Sequence, residues 1–147
     1  EGVPFAEHPK AVAALLKSVV DASEKAVAAA LLHDTVEDTE LELEDIKSRF
    51  GESVAGLVEE LTTDKEKRDK FGKAEYLGYK MAGMSDTALT IKLCDRYHNV
   101  HKIDETPDEF RTRYSRETKK TLSILFENRD LTNTQRYIAT RITEKVS

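Results

Sequence analysis

The chain has 147 residues, the length of one ordinary domain. Hydrophobic residues make up 39% and charged residues 35%, with three Pro and six Gly, so a disordered or collagenous chain is excluded and a helical, globular one is favoured. The 23 Lys and Arg against 28 Asp and Glu leave a net charge of −5, which argues against a general nucleic-acid or membrane-surface binder but leaves open a small anionic substrate held by local cations or a metal.

Helical spacing runs through almost the whole sequence, which predicts an all-α, single compact multi-helix bundle of about seven or eight helices. Pro9 suits the first position of a helix, placing His8 at its start, and Val12, Leu15, Leu16 and Val19 form its apolar stripe. Asp21 and Glu24 resemble a capping box before an Ala-rich run, residues 25–32, too apolar for a surface helix and therefore expected at the centre. Thr39 and Glu42 open a third helix with Leu43, Ile46 and Phe50 inside and Gly51 as the stop. Ser53 caps a fourth with Val54, Leu57, Val58 and Leu61. Residues 64–80 mix charges of both signs with Phe71, Tyr76 and Tyr79, an exposed helix or loop over a site. Ser85 begins a long helix through Val100, with Asp95 and Asn99 four apart. Thr106-Pro107 opens the next, and Asn133 caps a last amphipathic one. The single Cys94 cannot form an internal disulfide, and no signal peptide or apolar run of about 20 residues is present, so the cytoplasm is the expected compartment.

One stretch conflicts with its own helix. His33, Asp34, Glu37 and Asp38 extend a run that otherwise reads as core, and at 100° per residue they fall at about 0°, 100°, 40° and 140°, on less than half of the circumference. Burying three carboxylates together is costly without a cation, and a divalent metal removes the difficulty. The competing reading makes Glu37 and Asp38 a solvated helix end and His33 a hydrogen-bonded core histidine.

The wider pattern favours the metal. The stretches GVPFAEHPKAVA (residues 2–13), AALLHDTVEDT (29–39), FGESVAGLVEELT (50–62) and IKLCDRYHNV (91–100) resemble, in order and spacing, the HD-superfamily metal phosphohydrolases. The resemblance is closest to the hydrolase domain of the RelA/SpoT family and to the small single-domain alarmone hydrolases of the SpoT-homologue type. It implies metal ligands at His8, His33, Asp34 and Asp95, a Mn²⁺ cofactor, and a catalytic acidic pair at Glu37 and Asp38. Two imidazoles and two carboxylates without thiolate also suit Mn²⁺ on their own chemistry. The implied activity is hydrolysis of the 3′-pyrophosphate of ppGpp or pppGpp to GDP or GTP and pyrophosphate, with a metal-activated water as nucleophile. Substrate contacts carried over from the family fall on Asn99, Lys73 and Tyr114; a helix terminus, a solvated lysine and a core tyrosine are the respective alternatives.

The resemblance implies a domain over residues 1–147. The resemblance also implies an earlier helix with an Arg-Lys pair near guanine; seven residues precede His8 in this sequence, so base recognition is expected from upstream residues, a partner chain or another surface. The expected partner is a small guanine nucleotide, not nucleic acid or membrane; oligomeric state stays open. His98 is expected to pack or hydrogen-bond rather than ligate, Cys94 to be a core residue, and Arg96 to pair with nearby acids. Removal of the 2′-phosphate of NADPH, or a non-catalytic nucleotide-binding module, are the competing functions.

Overall fold

The computed structural model describes residues 3–147; the side chains of residues 3–6, 37 and 38 lie outside the described residues. Ten α-helices and one 3-10 turn, with no strand, are found among the described residues: α1 Val3–Val19, α2 Glu24–Leu32, α3 Thr35–Asp38, α4 Leu43–Phe50, α5 Glu52–Leu61, α6 Lys65–Phe71, α7 Lys73–Ala82, α8 Asp86–His101, the turn Ile103–Glu105, α9 Asp108–Asn128 and α10 Asn133–Val146. None is long and apolar enough to cross a membrane.

The expected all-α bundle is present, and the extra elements come from two places. Residues 64–80 form two helices, because Gly72 at φ +96° breaks the run in a conformation that other residues rarely adopt. The Ala-rich helix ends at Leu32, His33 serves as its C-cap, and the short α3 follows from Asp34. His33, Asp34, Glu37 and Asp38 therefore straddle a break instead of continuing one helix.

Other boundaries shift for local reasons. Pro9 lies inside α1, so His8 is an interior residue of that helix; the proline forgoes one backbone bond but its fixed φ is helical. Ser23 rather than Asp21 caps α2, accepting from the Ala26 N–H at 3.1 Å. Glu42 with Asp45 forms the capping box of α4, and Thr132 with Gln135 that of α10. Ser85 caps α8 as expected. Phe50, expected inside, is 46% exposed because it is the last residue before Gly51 turns the chain at φ +94°.

Helix α8 is the axis. It touches α1, α2, α5, α7 and α10, and Ala88, Leu89, Ile91, Leu93, Cys94 and Val100 bury several of its faces, the pattern of a helix enclosed by its neighbours. Small residues let α2 approach α1 and α5, with Ala26, Ala29 and Ala30 buried. On the other side α7 lies against α9, where Gly78 allows close contact with Ile124 and Thr121. Arg129 ties the end of α9 to the α7–α8 connection by donating to the Ala82 carbonyl at 3.1 Å, the Met84 carbonyl and Asp86 Oδ1 at 2.8 Å.

Candidate metal centre

Four side chains from three segments meet where α1, the α2–α3 break and α8 converge. His8 projects from α1, His33 and Asp34 from the break, and Asp95 from the middle of α8. One potential ligand atom from each lies within 4.8 Å of all the others. His8 Nε2 is 2.6 Å from Asp95 Oδ1, and His33 Nε2 is 3.2 Å from both Asp95 Oδ1 and Asp34 Oδ2. His33 and Asp95 are buried, whereas the Asp34 side chain is 38% exposed, so the cluster opens to solvent on the Asp34 side.

The donor set fits a divalent cation. His33 Nδ1–H donates to the Ala30 carbonyl at 2.6 Å, which leaves Nε2 facing two carboxylates. Burial opposes charge on His33, yet Asp34 and Asp95 outweigh it and raise the imidazole to about 10. Without a metal the carboxylates thus hold a second proton on His33; a cation satisfies the same two oxygens in its place. Burial likewise opposes the Asp95 charge, and Lys92 with the two histidines overcomes it, holding the carboxyl well below its usual range. On the far side of His8, its Nδ1 lies 2.7 Å from His98 Nδ1. Burial, then His8 and Lys102, lower the His98 pKa and keep that ring neutral.

Lys92 joins this cluster to a cavity of about 290 Å³ between α6, α7, α8 and α9. Its Nζ is 3.1 Å from Asp95 Oδ2 while the residue also lines the cavity. Arg68, Lys73, Lys92, Arg96 and Arg113 line it against the single acid Glu117 among the described residues. Such a cationic pocket suits phosphate oxygens.

The site residues read from sequence fall as follows. His8, His33, Asp34 and Asp95 come together. Lys73 and Tyr114 line the cavity, and the exposed Asn99 sits one turn after Asp95 with its side chain facing the Tyr114 hydroxyl. That hydroxyl is buried without a hydrogen bond of normal geometry among the described residues, and burial raises its pKa. Glu37 and Asp38 close α3, within four residues of Asp34, but their side chains lie outside the described residues.

Among the described residues Arg96 pairs with no acid: its Nη1 donates to Thr118 Oγ1 at 3.1 Å and its guanidinium lies 4.6 Å from the Tyr114 ring centroid. Cys94 is a core residue with its thiol pushed up to about 12 by burial and by Asp95. Lys92 and Arg68 were not among the expected site residues. The signal for Lys92 was available: Lys92, Asp95, Arg96 and Asn99 are spaced i, i+3, i+4, i+7, a polar stripe on a helix that is otherwise buried.

Comparison with known proteins adds relatives to this geometry. A family model described as HD domain matches residues 1–130. A probable guanosine-3′,5′-bis(diphosphate) 3′-pyrophosphohydrolase of Synechocystis sp. is 38% identical over 127 residues, covering 80% of this chain and 16% of that protein. The bifunctional (p)ppGpp synthase/hydrolase SpoT of Escherichia coli is 38% identical over 130 residues, covering 84% and 18%. The chain thus spans less than a fifth of the length of these relatives. Among solved structures, a metazoan ortholog of SpoT described as hydrolysing ppGpp superposes with a TM-score of 0.78 at 28% identity, covering 96% of this chain and 80% of that one. A Listeria monocytogenes protein shares the fold, with a TM-score of 0.74 at 23% identity over 95% of this chain and 90% of the other.

Proposed function

The chain belongs to the HD-domain family, and on that premise we propose that it is a cytoplasmic, Mn²⁺-dependent hydrolase that removes the 3′-pyrophosphate of ppGpp and pppGpp. The observation that carries this reading is the meeting of His8, His33, Asp34 and Asp95 beside a cavity lined by five Lys and Arg residues. Relatives named for the same reaction support it.

His8, His33, Asp34 and Asp95 would hold the ion, and the thiolate-free nitrogen and oxygen donors favour Mn²⁺ over a structural zinc. Bound there, the ion supplies Lewis-acid polarisation of a phosphoryl oxygen and a lowered pKa for water beside it. The chain's own residues do the rest. Lys92 and Lys73 meet the negative charge of the pyrophosphate from the cavity side. Glu37 and Asp38 divide the proton traffic: one carboxylate takes a proton from the attacking water, and the pair orients that water or returns a proton to the leaving 3′ oxygen. The new bond forms between water oxygen and the phosphorus attached to the 3′ oxygen, the bond from that phosphorus to the 3′ oxygen breaks, and GDP or GTP leaves with pyrophosphate. Asn99 and Tyr114 would approach the nucleoside.

The test is pyrophosphate release by the purified, Mn²⁺-loaded protein from ppGpp and pppGpp, with NADPH and ordinary nucleotides in parallel, together with analysis of the ion that copurifies. Asp34→Ala should lose both metal and turnover, while Glu37→Ala and Asp38→Ala should keep metal and lose turnover. Turnover of NADPH alone rejects the substrate, and normal hydrolysis by all three variants rejects the site.

A further inference from the structure

We propose that His98 is a positioning residue for the metal centre: one turn after Asp95 on α8, its Nδ1 accepts a hydrogen bond from His8 Nδ1–H and so directs the His8 Nε2 lone pair at Asp95, His33 and Asp34. The inference rests on the metal-holding role proposed above for these four residues, and not on the identity of the substrate.

A neutral imidazole carries one N–H, and both nitrogens of His8 are engaged. Nε2 is 2.6 Å from Asp95 Oδ1 and Nδ1 is 2.7 Å from His98 Nδ1. With the proton on Nε2, His8 would donate to Asp95 and offer no lone pair to a cation. With the proton on Nδ1, His8 donates to His98, and its Nε2 lone pair joins the Asp95 oxygen in facing the space between the four side chains. His98 makes the second arrangement available, because its Nδ1 is the acceptor that the Nδ1–H requires, with its own proton on Nε2. Asp95 and His98 are three residues apart and therefore share one face of α8, so a single turn of that helix grips the His8 ring at both nitrogens. The rings also touch, with centroids 4.8 Å apart and planes at 34°.

His33 offers a comparison inside the same site. Its outward nitrogen is held by the Ala30 carbonyl at 2.6 Å, a backbone group that no side-chain substitution removes. For His8 the same task falls to a side chain, which makes it testable. Partners of this kind orient a ligating imidazole and fix its tautomer, and their loss typically costs about 10–100-fold in metal affinity. His98 is not itself placed as a ligand, since its Nδ1 is occupied by His8.

The experiment is a metal titration of the full chain without substrate, by chelator competition with Mn²⁺ and Co²⁺. His98→Phe keeps a ring of similar size and removes the acceptor; His98→Asn restores an acceptor oxygen near the Nδ1 position. The expected result is about a 10–100-fold weaker dissociation constant for the Phe variant and recovery by the Asn variant to within about threefold of the parent. Equal affinity of parent and Phe variant, or an Asn variant as weak as Phe, overturns the proposal. A second measurement needs no variant: imidazole ¹⁵N spectra of the zinc-loaded parent should show the His8 proton on Nδ1, and a metal-bound Nδ1 overturns the proposal. A parent that binds metal but leaves ppGpp intact rejects the proposed function while both His98 readouts still stand or fall on their own.

Discussion

Lys92 and the two histidines divide the Asp95 carboxylate: Lys92 Nζ lies 3.1 Å from Asp95 Oδ2, while Asp95 Oδ1 faces His8 and His33. The lysine side chain is only 16% exposed, so this contact is weakly screened by solvent, and the same residue lines the cationic cavity. Lys92 therefore links the metal cluster to the place where phosphate would lie.

For Lys92→Met, which keeps the apolar stem, the proposed function predicts retention of metal to within about threefold and a loss of ppGpp turnover of about 10–100-fold, because on that reading the lost group is a charge-assisted donor to substrate and not a ligand. Inhibition by added pyrophosphate should weaken in step. A variant that loses metal along with activity would place Lys92 chiefly in support of Asp95.

Gly78 marks a close approach of α7 to α9. A Cβ there would lie 2.8 Å from Ile124 Cβ and 3.0 Å from the Thr121 carbonyl, and neither can swing away as a flexible side-chain end could. Gly78→Ala gains about 1 kcal/mol of helix propensity but must push α7 off α9 at an overpacking cost of about 1–3 kcal/mol. Net destabilisation is expected, read as a fall in the melting temperature of ~2–4 °C per kcal/mol. Ala74 and Thr121 line the cavity and are joined by a 3.1 Å bond from Thr121 Oγ1 to the Ala74 carbonyl, so the same shift should raise KM for ppGpp more than it lowers metal affinity. A variant as stable as the parent would show that the crossing can relax.

Cys94 neighbours Asp95 in sequence but is 1% exposed, with its thiol pushed up to about 12. Thiolate is the reactive form, so at about pH 8 the native protein should resist alkylation while denatured protein reacts at the ordinary rate of a free cysteine. Mass spectrometry after iodoacetamide treatment measures this directly. Rapid labelling of the native chain would mean that α8 opens locally beside the metal cluster.

The fold class was legible because apolar spacing near 3.6 residues persists almost throughout, and the buried stripes of α5, α8 and α10 follow it. Val54 and Val58, Leu89 and Leu93, and Ile138 and Ile142 are all buried. Boundaries were less legible where two residues compete for one cap. Asp21 and Ser23 both suit the start of α2, and Pro9 satisfies a helix start while being tolerated inside α1. Within the site, His33-Asp34 announced itself as a charged intrusion into an Ala-rich run. The cavity did not, because its wall pairs the polar stripe of α8 with Phe110, Arg113, Tyr114, Glu117 and Thr121 on α9. Those residues repeat at i, i+3, i+4, i+7 and i+11, but periodicity on one helix does not say which other helix it will face. His98 was legible as a hydrogen-bonding residue; its partner, 90 residues away on α1, was not.

Asp86 offers a pH test away from the metal. It opens α8, where a negative charge suits the helix N-terminus, and its Oδ1 accepts from Arg129 Nη2 at 2.8 Å and from Gln135 Nε2 at 3.3 Å. Those hydrogen bonds, Arg129 first, hold its carboxyl below the ordinary value of 3.8. A carboxyl depressed in the folded state contributes stability above its unfolded pKa and loses it as pH falls through the folded one. Asp86→Asn should therefore melt below the parent at neutral pH. The gap should narrow as pH drops below about 4 and close once Asp86 of the parent is protonated in both states. Calorimetric scans of the two proteins across that range decide the matter: a gap that stays constant with pH would assign the effect to the Arg129 and Gln135 packing geometry and remove the charge from the account.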